Sequence, residues 1–489
     1  MKLSEYVTFD AVGLAQLVAR GEISGRELSS TALRAVEAVN PAVNAVVETW
    51  AAEPEREVPA GGERQDGGSL AGVPFLIKDI GVAMAGKRME LGSRLARGNV
   101  SAADSFLMRR FRRAGLVTLG RTTTPELAAS TTTEPVLYGP TRNPWDSDRS
   151  AGGSSGGAAA AVAAGIVPLA HATDAAGSIR LPASYNGLFG LKPTRGRVSL
   201  GPDADEVFHG LAVQGGVSRS VRDSAALLDH ISGGEPGDPY YAPEPERPYS
   251  AEVTRDPGTL RIGVLTHAWG GHRTAPAVAD ALSRVTRLCE ELGHKVEEAQ
   301  VGLGVSWEEF VLANARIWNA NLAVQIDALA AAFDRPIDAT TLEPWTLACY
   351  AYGQRVSGAD LVIALGARNR VTRGLSACFT RYDLLLTPTT PEPAVPLGTY
   401  DEDIESLDGL GWLDRILGWS PFTAPSNVAG IPAMSVPLET DPGSGLPIGF
   451  QFAAAYGRED TLFRLAGQLE RAHPWSDRTP AIWAGDLKP

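Results

Sequence analysis

The chain has 489 residues, 44% hydrophobic and 21% charged, the balance of a soluble globular protein with a sizeable core in one large α/β domain or two to three smaller ones. A formal charge of −13 and a pI near 5.2 exclude a general binder of nucleic acid or anionic membranes. Cys289, Cys349 and Cys378 fit neither a metal-ligand spacing nor a disulfide framework.

The first predicted helix, AVGLAQLVARG (11–21), stops at Gly21. Ser24 with Glu27 forms a capping box for a second helix, expected to end at Asn40 before Pro41. Residues 51–69 are polar and Gly-rich and read as a loop; VPFLI (73–77) reads as a buried strand with Lys78 at its end. Lysine is scarce beside arginine in this chain, so Lys78 stands out. A helix over 104–114 and a strand over 116–120 lead into a polar loop, 122–150, then the cluster AGGSSGG and a small-residue helix, AAAAVAAG. Further helices are expected at 221–231 and 275–293, the latter stopped by Gly293, with a strand at 260–267 between them. Residues 305–380 read as mainly helical. After them come a strand at 382–388, a loop at 420–430, strands at 432–438 and 447–455, and a closing helix at 459–472. Interleaved strands and helices make this an α/β protein. The opening MKLSEYVTFD has no signal-like run, and AAAAVAAGIVPLA (158–170) is too short for a membrane span, so a cytoplasmic, non-membrane protein is expected.

Three stretches carry candidate chemistry: GVPFLIKDIG (72–81), the glycine–serine cluster at 151–157, and TDAAGSIRLPAS (173–184). The cluster matches G-x-S-x-G, but a polar loop precedes it where a nucleophile elbow needs a strand. His209, His230 and His473 are ordinary surface or helix histidines rather than convincing partners. A phosphate-binding loop needs Gly-Lys-Ser/Thr, and a dinucleotide fingerprint needs a preceding strand and a later acid; neither is present. The plain alternative is close backbone packing, with Lys78 paired to Asp79 or another carboxylate. That alternative explains poorly why a lysine, small hydroxyls and an Asp/Arg pair share apolar surroundings.

Taken together, PFLIKD, GGSSGG (152–157) and DAAGSIRLPAS (174–184) followed by GLFGLKPTRGRVS (187–199) resemble the amidase signature family. So do NPW (143–145), SRSVRD (218–223), LLLTPT (384–389), FTAPSNVAGIPAMSVPL (422–438) and GLPIGFQ (445–451). The likeness covers about residues 8–475. It implies a large, twisted, mixed central sheet flanked by helices on both faces. The expected organisation is an N-terminal helical segment (1–60), a signature core (61–300), a helical lobe along the substrate cleft (301–380) and the C-terminal part of the core (381–489).

The resemblance further implies a Ser-cisSer-Lys triad: Ser178 as nucleophile, Ser154 as bridge across a cis Gly153–Ser154 peptide, and Lys78 as base. Backbone amides of Ala175, Ala176, Gly177 and Ser178 would form the oxyanion hole, although many relatives carry Gly where this chain has Ala176. Ser155, Asp174 and Arg180 would support the loops, and Thr131, Trp318 and Asn427 would line the pocket. The chemistry is coherent: a serine needs a base within reach, and burial lowers the pKa of a lysine.

The implied protein uses no cofactor and no metal, takes a small-molecule amide, binds no nucleic acid, and belongs to a family in which homodimers are common. TTTPE…TTTEP and DAAGS look most like cyclic-dimer hydrolases of nylon oligomers and nearby bacterial amidases. An amidotransferase A-type subunit and a carbamate- or ester-preferring hydrolase are the alternatives. Trp307, Trp318, Trp345, Trp412 and Trp419, with Phe310 and Tyr350, lie in the variable regions; singly they read as packing, and as a group they favour an apolar substrate.

Overall fold

Strands from both ends of the chain meet in one sheet. The computed structural model describes residues 1–50, 69–401 and 403–486; apart from Ser69, the stretch expected as a loop over 51–69 lies outside the described residues. In chain order the strands are β1 (Val46–Thr49), β2 (Pro74–Lys78), β3 (Val117–Thr122), β4 (Arg142–Asn143), β5 (Asp146–Ser150), β6 (Leu169–Asp174) and β7 (Phe189–Lys192). They continue with β8 (Val213–Ser218), β9 (Arg261–Val264), β10 (Lys295–Glu298), β11 (Leu384–Pro388), β12 (Ala433–Thr440) and β13 (Pro447–Ala454). Eleven of them form the sheet, in the order β1-β3-β2-β6-β8-β7-β12-β13-β11-β9-β10, and β4–β5 is a separate hairpin. The sheet is mixed: β2 lies parallel to β3 and β6, whereas β6, β8, β7, β12 and β13 alternate in direction. Helices flank it, giving the α/β fold expected.

The sheet's own core is aliphatic and aromatic, with Phe75, Phe111, Phe189, Phe450, Phe452 and Phe463 all buried. A second core joins the helices Trp307–Phe333, Pro344–Gly353 and Gly358–Ala377, and it includes Ala176 of the DAAGS loop. The helical lobe therefore packs against the loop that carries Ser178.

Four local differences from expectation have physical causes. The second helix runs Gly25–Val43, through Pro41. Asn40 anchors the chain just beyond the helix, its Oδ1 accepting from Ala45 and Val46 amides at 2.9 and 2.8 Å, and Asn44 ends the helix in the left-handed region. Ser24 does accept from the Glu27 amide, but the Glu27 carboxylate reaches the N-terminal ammonium instead of closing the box. The 420–430 segment contains a short helix, Ala424–Ala429, with Pro425 in the first turn, where its missing N–H costs nothing. The polar 122–150 loop is largely interior: Thr122, Thr123, Thr124, Thr131, Thr132 and Thr133 are all buried.

Candidate active site

The end of β2 delivers Lys78 into a buried corner. Its strand is buried throughout, as expected for one held between parallel neighbours. Lys78 Nζ lies 2.7 Å from Ser154 Oγ, 3.0 Å from Ser155 Oγ and 2.9 Å from Thr173 Oγ1. No carboxylate among the described residues pairs with it, and Asp79 is bound instead to Arg121 and to the amides of Glu90 and Gly92. The plain ion-pair alternative thus fails. Burial drives Lys78 well below the usual lysine range, while the negative charge of Asp174 pulls the other way.

Proton accounting constrains this corner. Ser155 Oγ donates to the Thr173 carbonyl at 3.2 Å and also accepts the Thr173 amide at 3.3 Å. Its only proton is spent, so toward Lys78 it accepts. An ammonium would find three acceptors here; burial without a contacting counter-ion favours the neutral amine, whose lone pair then faces a hydroxyl. Thr173 is not among the site residues that the sequence nominates. Its signal is nonetheless there, since it directly precedes Asp174 in the signature stretch.

The Gly153–Ser154 peptide is cis. Gly153 packs so tightly against the 131–132 backbone that a Cβ would sit 2.5 Å from the Thr132 carbonyl oxygen. The helix Gly156–Ala163 starts directly after the serine pair.

Ser178 lies on the turn between β6 and the helix Arg180–Asn186. Exposure rises slightly from 1% at Lys78 and Ser154 to 7% at Ser178, which is nearest to solvent of the three. Among the described residues its Oγ has no hydrogen-bond partner, and the structure does not bond it to Ser154. Catalytic hydrogen bonds commonly tighten only around substrate.

A buried ion pair shapes that turn. Asp174 accepts from Arg180 Nε and Nη2, both at 2.9 Å, and from the Gly177 and Ile179 amides at 2.7 and 3.1 Å. Burial alone would raise the Asp174 pKa, but the Arg180 charge and hydrogen bonds, with help from Lys192 and Asn427, hold it below the ordinary carboxylate range. Arg180 also reaches the Thr423 carbonyl (2.9 Å), Gln451 Oε1 (2.5 Å) and Asn427 Oδ1 (2.6 Å). Of the four amides expected in an oxyanion hole, that of Gly177 is therefore turned to Asp174. Those of Ala175, Ala176 and Ser178 have no partner among the described residues. Gly177 (φ +136°) abuts Thr423, whose hydroxyl bonds the Ala176 carbonyl at 2.7 Å.

The expected pocket residues separate. Asn427 is bound within the structure: its amide donates to the Asp174 carbonyl, to Asp174 Oδ1 and to the Leu211 carbonyl. Thr131 is buried beside the Ser154 loop and faces Tyr400. Trp318 stacks on Phe208, with ring centroids 4.3 Å apart. Trp345 stacks on Trp412 and Trp307 on Phe310 within the same lobe.

The site thus sets a lysine among three hydroxyls, with Ser154 following a cis peptide and Ser178 on a neighbouring turn. The amidase family model matches residues 27–463, and the chain belongs to this family, the amidase signature enzymes. It is a serine amidase, hydrolysing amide bonds. The chain is 39% identical over 487 residues to a 6-aminohexanoate-cyclic-dimer hydrolase of Paenarthrobacter ureafaciens, covering 97% of this chain and 96% of that one. A solved 6-aminohexanoate cyclic dimer hydrolase superposes with a TM-score of 0.91 at 38% identity over 97% of this chain and 99% of its own. A bacterial aryl acylamidase superposes with a TM-score of 0.88 at 28% identity over 98% and 99%. Among the described residues no helix is long and apolar enough to cross a membrane.

Proposed function

We propose that the enzyme cleaves apolar linear, aryl or cyclic amides through an acyl-enzyme on Ser178. The observation carrying this reading is Lys78 Nζ, buried among three hydroxyls without a carboxylate in contact. Ser154 passes its proton to neutral Lys78 while taking one from Ser178, whose Oγ attacks the amide carbon. The carbonyl oxygen becomes an oxyanion facing the amides of Ala176 and Ser178. Collapse breaks the C–N bond, and the relay runs backward to protonate the departing amine. Water then repeats the sequence against the acyl-enzyme, releasing the acid and restoring Ser178.

The apolar preference draws support from the second core, which brings Phe208 and Trp318 into the cluster that holds Ala176. The 39% identity to a 6-aminohexanoate-cyclic-dimer hydrolase makes that cyclic dimer a first substrate to try. The test is a panel of benzamide, hexanamide, an aryl acylamide and the cyclic dimer, run with wild type, Ser178→Ala and Lys78→Ala. Turnover by wild type alone, with an acyl adduct on Ser178 seen by mass spectrometry, is the expected result. Turnover surviving in folded Ser178→Ala protein overturns the assignment.

A further inference from the structure

Lys78 is held by its backbone as well as its side chain. Its amide, at the last position of β2, donates to His171 Nδ1 at 3.2 Å. The other ring nitrogen, Nε2, stands 2.7 Å from Gln214 Oε1, and Gln214 Nε2 donates to the Gly81 carbonyl at 2.5 Å. One proton arrangement satisfies the whole chain. Nδ1 faces an N–H and must be bare, Nε2 carries the proton toward the Gln214 oxygen, and the Gln214 amide hydrogens are left for Gly81.

His171 and Gln214 lie on paired strands, β6 and β8, so residues 78–81 are bracketed at both ends by β6, which leads to Ser178, and by its neighbour β8. Gly81 (φ +91°) permits the close approach; a Cβ there would lie 2.7 Å from Thr173 Cγ2. The bracket is needed because β2 meets β6 at a single register pair, Leu76 with Ala170. Beyond that pair, the His171 ring replaces the missing ladder bond. The ring is fully buried and packs edge-on against Phe111.

We propose that His171 is a positioning residue: through the Lys78 amide it sets where Nζ stands against Ser154, without touching substrate or carrying a transferred proton. The inference rests on Lys78 being the base. Burial drives the ring down to about 3, so it remains neutral and places no positive charge beside Nζ. The titratable and charged groups facing Lys78 are Asp174 and His171 from β6, and Asp79 beside it with its partner Arg121 from β3. The 154–155 turn brings hydroxyls, and β8 brings the Gln214 amide.

The experiment compares His171→Asn, His171→Gln and His171→Leu for kcat, KM and the acid limb of kcat/KM. Asparagine places an oxygen where Nδ1 stood, whereas glutamine places its polar end near Nε2. His171→Leu and His171→Gln are expected to lose about tenfold or more in kcat with KM changed less than about twofold, and the acid limb moves to higher pH as Lys78 gains water. His171→Asn is expected to recover most of the rate. Wild-type kcat and an unmoved limb in all three, or equal behaviour of the Asn and Gln variants, would overturn the proposal. Nitrogen-15 NMR of histidine-labelled wild type covers the case in which variants fail to fold. A neutral Nε2–H ring unchanged between about pH 5 and 9 is expected, and the Nδ1–H tautomer or a titrating ring would overturn the inference. Activity surviving in Lys78→Ala would sink the base assignment while leaving that tautomer result standing, so the two failures are distinguishable.

Discussion

Two strand ends in the same sheet bury a lysine, and they use it differently. At the end of β2, Lys78 is ringed by three hydroxyls. At the end of β7, Lys192 is equally buried, yet the one hydrogen bond its ammonium makes among the described residues is to the carbonyl of the next residue, Pro193. Burial, then repulsion from Arg180, pushes Lys192 down to about 7 against the pull of Asp174. Depressed basicity is thus common to both, and it is not what makes a base. The difference is company: Lys78 has exchangeable protons in contact, whereas Lys192 has only a carbonyl.

The largest effect expected from this contrast is on rate. Lys78→Ala should lower kcat by about a thousandfold, the scale of a lost general base, while Lys192→Met should remain within about tenfold of wild type. Equal losses measured by steady-state kinetics would erase the distinction.

Asp174 is the charge felt by both lysines, and it neutralises Arg180 directly. Asp174→Asn strands a buried guanidinium and should cost about 3–5 kcal/mol in urea unfolding. A cost below about 1 kcal/mol would mean that Arg180 finds other compensation in Thr423, Gln451 and Asn427.

The pH dependence of stability separates the lysines next. Between about pH 7 and the ordinary lysine value of 10.5, the unfolded chain binds a proton at Lys192 that the folded one does not. Folded-state stability contributed by this site therefore rises with pH across that window, by at most about 1.4 kcal/mol per unit. Thermal unfolding of wild type and Lys192→Met should show the gap closing in favour of wild type as pH rises from 7 toward 9. Parallel curves would show Lys192 charged in the fold. The smallest change is Thr173→Val, which removes one hydroxyl from Nζ and should lower kcat by about tenfold or less.

Much of this was readable in the residues themselves. The helix starts are marked by Ser24, Ser105, Ser220, Ser306 and Ser357, each accepting a first-turn amide. The signature stretches name Lys78, Ser154 and Ser178. Three central strands gave no such signal: LAHATD, FGLK and VQGGVS are buried on both faces or carry glycines, so no alternation marks them. His171, Gln214 and Thr173 sit on two of these strands, which is why the support of Lys78 stayed hidden. The surroundings of Asn427 were hidden for another reason. A polar residue near a family cleft suggests a ligand contact, and the ion pair that holds its amide lies 253 positions earlier.

That separation along the chain governs how the enzyme comes into being. Arg180 is held by Thr423, Asn427 and Gln451, and the Ala176 carbonyl by Thr423. A ribosome has made all three catalytic candidates by residue 178, yet the side chains that lock the turn around Ser178 emerge some 245 to 273 residues later. Assembly of a working amidase is therefore among the last events of synthesis, and a chain interrupted before residue 420 carries Lys78, Ser154 and Ser178 without the framework that sets them to work.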